Sequence, residues 1–238
     1  MNYRLMFSPS IYKVELEITT SCNLMCKFCD RRCSQAPSNE RMSLDHVRRF
    51  VDESIQLNYQ WEKIGILGGE PTLHPELEEI ILILQTYTQK FPNADLFLAT
   101  NYHGWTVRQK VKTLQKKIRV VKSPKNDNPK YFNNINLTQI DFGDIIHNCN
   151  IASGTGLGYT TRGYFPCGAG AAIARVLGMD IGLKSLAEVN QTSIREMLRE
   201  LCPYCGHGLA IKVGNNSSTS PFWEEAYRKY REKNSGKI

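Results

Sequence analysis

Long apolar runs are missing from this 238-residue chain, in which no stretch approaches the roughly 18 consecutive apolar residues of a membrane span. The N-terminus also lacks the charged-then-apolar pattern of an export signal. Both absences predict a cytoplasmic protein that does not enter a membrane. Histidine is scarce, with five residues at 46, 74, 103, 147 and 207, and none stands at the paired spacing of a histidine metal site. Surface or capping roles follow for His46 and His74, while His103 falls next to the candidate site below. The length suits one medium domain or one and a half, enough to bury a real core.

Cysteine is what the chain does have. Eight are present, at 22, 26, 29 and 33 and again at 149, 167, 202 and 205. Two groups so far apart, in a chain without an export signal, read as metal ligands rather than disulfides. The first group contains Cys22-Asn-Leu-Met-Cys26-Lys-Phe-Cys29, a C-x3-C-x2-C run. Three thiolates on one loop can hold three corners of an iron–sulfur cube and leave the fourth iron open, whereas clusters built only for electron transfer are saturated by cysteine. Zinc sites pair C-x2-C with a second C-x2-C or with histidines, and this triple does not fit that scheme.

The rest of the chain alternates strands and helices. Val14, Leu16 and Ile18 alternate with polar neighbours over residues 12–20, a first strand that runs into the cysteine loop. Ser43 caps a helix whose apolar face is Leu44, Val47, Phe50, Val51 and Ile55. Strands follow over 64–67, 95–100 and 118–123, with helices over 75–89 and 105–117 between them. The order βαβαβαβ predicts an α/β fold with a parallel sheet. In such sheets sites lie at the C-terminal ends of the strands. The cysteine loop, Gly68-Gly69-Glu70-Pro71 and Thr100-Asn101 each follow a strand, so all three converge on one edge.

The cysteine spacing together with Gly68-Gly69-Glu70-Pro71 resembles the radical S-adenosylmethionine (SAM) family. That resemblance implies a [4Fe-4S] cluster on Cys22, Cys26 and Cys29, with SAM on the open iron, cleaved homolytically to a 5′-deoxyadenosyl radical that abstracts hydrogen from substrate. It also implies SAM contacts from Gly68, Gly69, Glu70 and Pro71, an aromatic neighbour for the adenine in Phe28, and ribose or carboxylate contacts from Thr100 and Asn101. The family core is a partial barrel of six βα units. Only about 25 residues separate the fourth strand from Cys149, room for one further strand near residues 136–141 but not for two crossovers. A truncated partial (β/α) barrel over 1–141 is therefore expected.

Cys149 and Cys167 are separated by 17 residues, with Gly154, Gly156, Gly158 and Gly163 suggesting a hairpin, and Cys202-Pro-Tyr-Cys205 follows a helix over 193–201. This set resembles the twitch domain, the short form of the SPASM extension, which binds one auxiliary [4Fe-4S] cluster, here over 142–210. Four thiolates are also a legitimate structural zinc set. Arg162, Tyr159 and Tyr164 lie in the hairpin as candidate substrate contacts. Cys33 is left over, and on the first loop it is a candidate hydrogen donor to a substrate radical. Residues 211–238 form a loop and a last helix capped by Ser220, with Pro221 at its first position.

The formal charge of +7 is uneven. Nine Lys or Arg stand against one Asp between residues 107 and 130, an excess of +8. Arg108, Lys112 and Lys116 follow at i, i+4 opposite Val107, Val111, Leu114 and Ile118, so the patch reads first as a solvated helix face. A docking site for an acidic flavodoxin- or ferredoxin-type reductant comes next, and the lack of interleaved aromatics disfavours nucleic acid. The size and cysteine layout resemble radical SAM dehydrogenases and epimerases of aminoglycoside biosynthesis, implying a small polar substrate that is oxidised or epimerised. Peptide modification ranks lower, because only residues 1–11 precede the first strand. A non-catalytic iron–sulfur or metal-binding module would not need Gly68-Gly69-Glu70.

Overall fold

The computed structural model describes residues 7–123, 134–138, 149–209 and 218–235. Four parallel strands, β1 (Lys13–Glu17), β2 (Lys63–Leu67), β3 (Asp95–Thr100) and β4 (Arg119–Lys122), are connected by α1 (Leu44–Gln56), α2 (Leu77–Lys90) and α3 (Trp105–Leu114). Register runs Val14 to Ile64, Ile64 to Leu96 and Leu98 to Val120. This is the expected βαβαβαβ order, and it leaves the C-terminal ends of the strands on one edge. Ser43 starts α1 by accepting from the His46 N–H, and Val47, Phe50 and Val51 face the core.

The hairpin between Cys149 and Cys167 is β5 (Leu157–Thr160) and β6 (Gly163–Phe165). β5 runs parallel to β1, with Val14 opposite Leu157, and β6 returns antiparallel. The sheet order is thus β4-β3-β2-β1-β5-β6, one sheet that crosses the boundary expected near residue 141. Residues 134–138 form a turn rather than the strand expected from 136, and 139–141 lie outside the described residues. Tyr159 and Tyr164 are buried in the core against Phe50. The alternation of the short strand could not show this, because β5 is buried on both faces.

Among the described residues three further α-helices follow, α4 (Gly168–Leu177), α5 (Gln191–Leu201) and α6 (Pro221–Asn234). α4 escapes sequence reading because Gly168 to Val176 is buried almost all round, which removes the amphipathic period. Gly158 allows the crossing with β5, since a Cβ there would lie 2.8 Å from the Gly168 Cα. α6 buries Trp223, Tyr227 and Tyr230, and the Ser220 side chain accepts from the Trp223 N–H. No helix among the described residues is long and apolar enough to cross a membrane.

His74 is buried, not on the surface, and it does cap the following turn. Its Nδ1 accepts from the Glu76 N–H at 3.1 Å, so Nε2 carries the proton and donates to the Met42 carbonyl at 3.1 Å. Burial lowers its pKa below the ordinary 6.5, against the pull of the Met42 carbonyl. The unfolded chain then binds a proton that the folded chain refuses, so His74 contributes stability above about pH 6.5 that is lost as the pH falls below it. Denaturant titrations from pH 7.5 to 5 should show stability declining with acid, and His74→Asn should flatten that decline while lowering stability at pH 7.5.

Candidate active site and a second cysteine cavity

The exits of β1 and β2 run against each other. Gly69 N–H donates to the Thr19 carbonyl and Glu70 N–H to the Ser21 carbonyl, both at 2.8 Å. A Cβ on Gly68 would stand 2.3 Å from Thr19 O and one on Gly69 2.2 Å from Ser21 O. The glycines therefore let the chain's own backbone close over the root of the cysteine loop. Gly68 also adopts φ +152°, which side chains avoid.

Glu70 is fully buried and its carboxylate joins the exits of β2 and β3. Oε1 accepts from Thr72 N, Thr72 Oγ1 and Thr100 Oγ1 at 3.2, 2.7 and 2.8 Å, and Oε2 from Asn101 N at 2.8 Å. A carboxylate offers about four acceptor positions, so the chain's own donors engage this one closely. Pro71 starts the short 3-10 turn Pro71–Leu73 that brings Thr72 into reach. Asn101 then reaches the cysteine loop, with Nδ2 donating to Asn23 Oδ1 at 2.8 Å and lying 3.9 Å from Cys22 Sγ, while Asn23 Nδ2 donates to the His103 carbonyl at 2.8 Å. The Leu24 N–H also points to Cys22 Sγ at 3.4 Å. Donors on a sulfur stabilise its thiolate and raise the potential of a cluster bound there.

Further along the loop, Phe28 is buried against Ile135. Ser34 Oγ and Gln35 Nε2 donate to the Cys26 carbonyl at 2.7 and 2.9 Å, and Asn136 Nδ2 donates to the Lys27 carbonyl at 3.1 Å. Cys33 is buried, 6 % exposed, against the Cys29 thiol, with Sγ donating to the Arg31 carbonyl at 3.8 Å. Cys29, burial and Glu17 together push its thiol up.

Three buried arginines are functional neighbours that motif reading missed. Arg31 turns under the loop to pair with Glu15, and its Nη1 stands 3.8 Å from Glu17 Oε2. Arg175 of α4 donates to the carbonyls of Ala36 and Arg31 at 2.8 and 3.1 Å and to Tyr230 Oη at 2.9 Å. Arg32, in a left-handed conformation at φ 52°, donates to the Ile135 carbonyl and lies over Trp223 at 4.2 Å. The signal was present in β1, where Glu15 and Glu17 alternate with Val14 and Leu16. A strand buried on both faces is apolar throughout, so acidic alternation marks a charged interior. Burial raises the Glu17 pKa while Arg31 and Arg175 oppose the rise.

The second group of cysteines lines one small apolar cavity. Cys149, Cys167, Cys202 and Cys205 face it with Ala152, Pro166, Ile173, Leu198 and Leu201. Cys167 precedes α4 and its Sγ accepts from the Gly170 N–H at 3.3 Å. Cys205 Sγ is 3.6 Å from His207 Nδ1. Burial and the neighbouring cysteines push up the thiols of Cys167 and Cys202, and that of Cys205 to about 11. Among the described residues no three Cys, His, Asp or Glu side chains gather tightly enough to hold a single ion. The four thiols around this cavity are a donor set of the kind that holds either a polynuclear iron–sulfur cluster or a structural zinc ion. Arg162, at the β5–β6 turn, pairs with Glu40 at 2.8 Å instead of meeting this cavity.

Replacing Arg31 by Met should remove one cation from buried Glu17 and from half-buried Glu15 and cost about 3–5 kcal/mol of stability at pH 7. The Glu17 carboxyl, already raised by burial, would then titrate further above its ordinary range, so stability held at low pH is lost as the pH rises. Denaturation at pH 7 and pH 5 should show the deficit narrowing in acid.

Over 95 residues, 40 % of this chain, the sequence is 33 % identical to a probable GTP 3′,8-cyclase of Methanococcus maripaludis, of which the match covers 30 %. It is 30 % identical over 115 residues to a GTP 3′,8-cyclase of Helicobacter pylori, covering 46 % of this chain and 33 % of that one. The matches thus span about a third of the length of these curated relatives. In fold, the chain is similar to the crystal structure of BtrN in complex with AdoMet and 2-DOIA, with a TM-score of 0.52 at 13 % identity over 85 % of this chain and 90 % of that one. Residues 16–166 match the radical SAM superfamily, so the chain belongs to that superfamily, whose members carry SAM and a [4Fe-4S] cluster.

Proposed function

We propose that this protein oxidises a small polar, sugar- or aminocyclitol-like substrate, using a second [4Fe-4S] cluster on Cys149, Cys167, Cys202 and Cys205 in a twitch-type region. The observation that carries this reading is the collection of those four thiols around one apolar cavity. When bound, SAM and the cluster on Cys22, Cys26 and Cys29 supply a 5′-deoxyadenosyl radical for hydrogen abstraction, and a second cluster supplies an acceptor for the remaining electron. The chain's own part is placement. Gly68, Gly69 and Pro71 shape the cofactor wall, Glu70 and Thr100 set the Asn101 turn beside Cys22, and Phe28 offers an apolar face. Cys33 is buried against Cys29, which weighs for oxidation over epimerisation, because a hydrogen donor must reach the substrate.

The cyclase names of the relatives favour a second reading, radical chemistry on a purine nucleoside triphosphate.

Anaerobic iron and sulfide quantification with Mössbauer spectra tests the main reading. The reconstituted protein should hold about eight irons, and about four both after Cys22, Cys26 and Cys29 are changed to Ala and after Cys202 and Cys205 are. About four irons plus one zinc in the unmodified protein would overturn the second cluster and remove the electron acceptor that oxidation needs. Release of 5′-deoxyadenosine dependent on an aminocyclitol, and not on GTP, separates the two substrate classes.

A further inference from the structure

The radical SAM chemistry proposed above needs one electron delivered from outside the chain, and two exposed apolar side chains stand beside the cysteine loop. Met25 at the loop tip is 82 % exposed and Trp105 at the start of α3 is 75 % exposed, the two most exposed large apolar side chains among the described residues. They belong to one neighbourhood. Asn23, two residues before Met25, donates to the His103 carbonyl, and a Cβ on Gly104, next to Trp105, would lie 3.6 Å from Asn23 Nδ2.

From Trp105 a cationic stripe runs along α3 and just past its end through Arg108, Lys112 and Lys116, while Val107, Val111 and Leu114 are buried beneath. No Asp or Glu occurs between residues 96 and 126. Lys117 and Arg119 are neutralised by Glu78 and Asp95, but Arg108, Lys112 and Lys116 form no ion pair among the described residues. A solvated helix face accounts for the lysines, but it does not account for a bare tryptophan and methionine at their head. Aromatic and Met side chains enrich binding surfaces, and a field of one sign steers an oppositely charged partner to them.

We propose that Met25, Trp105 and the Arg108–Lys112–Lys116 stripe form the docking face for a small acidic one-electron carrier protein. The apolar pair seats the carrier over the cysteine loop, and the stripe attracts and orients it. One electron passes from the reduced carrier to the cluster on Cys22, Cys26 and Cys29, leaving the carrier oxidised by one electron. The inference rests on that cluster and on no particular substrate.

The test uses the reconstituted full chain and a purified flavodoxin, with Lys112→Glu/Lys116→Glu and Trp105→Ala as variants. Calorimetric titration at low and high salt should show flavodoxin binding weakened about tenfold or more by the double charge reversal, with a shallower salt dependence, and weakened by Trp105→Ala at either salt concentration. Flavodoxin-driven 5′-deoxyadenosine release should fall in parallel, while release driven by dithionite stays at the unmodified rate. Unchanged flavodoxin binding in both variants, or no binding to the unmodified protein, overturns the proposal. Equal loss with dithionite also overturns it, because the residues then belong to the cofactor cavity. Absence of release with dithionite in the unmodified protein would count against the radical chemistry, while the titration still decides the docking face.

Discussion

A guanidinium buried under the cysteine loop ties that loop to the rest of the molecule. Arg31 leaves the loop, enters the sheet interior and meets Glu15 of β1, while the Gly168 end of α4 lies so close that any side chain there would collide with it. Arg175 of α4 holds the Arg31 and Ala36 carbonyls from the other side. Desolvating such charges costs several kcal/mol each unless partners replace the water. The arrangement therefore tolerates few alternative positions of the loop, which a site that must place three thiols requires.

The same constraint links the two cysteine groups. Cys167 caps α4, the helix that supplies Arg175 and the glycine over Arg31, so the second cavity and the first loop share one support. α6 joins the same assembly through Trp223 under Arg32 and through Tyr227, whose hydroxyl donates to Asn136 Oδ1 at 2.9 Å. Asn136 in turn holds the Lys27 carbonyl. Segments more than a hundred residues apart in sequence thus set the shape of one eight-residue loop.

Much of the strand and helix order was legible because its signals are local. Period-two alternation in β1, the Ser43 and Ser220 caps and the short runs of β2 to β4 depend on neighbours a few residues away. α4 was not legible, because a helix buried all round has no polar face to mark its period. The pairing of β5 with β1 was equally hidden, since a four-residue strand carries no record of its partner. Glu70 shows the same limit in the site. Its motif marks an important turn, but only the fold shows its carboxylate taken up by Thr72, Thr100 and Asn101.

The sequence by itself determined the superfamily, the parallel α/β order and the grouping of the cysteines, because residue type, spacing and short-range periodicity carry that information. The tertiary structure alone decided where charge is buried, that Cys33 stands against Cys29, that Tyr159 and Tyr164 are core residues, and that four late cysteines share one cavity. Those outcomes depend on desolvation and on contacts between segments distant in the chain. Neither is encoded in any local stretch of residues.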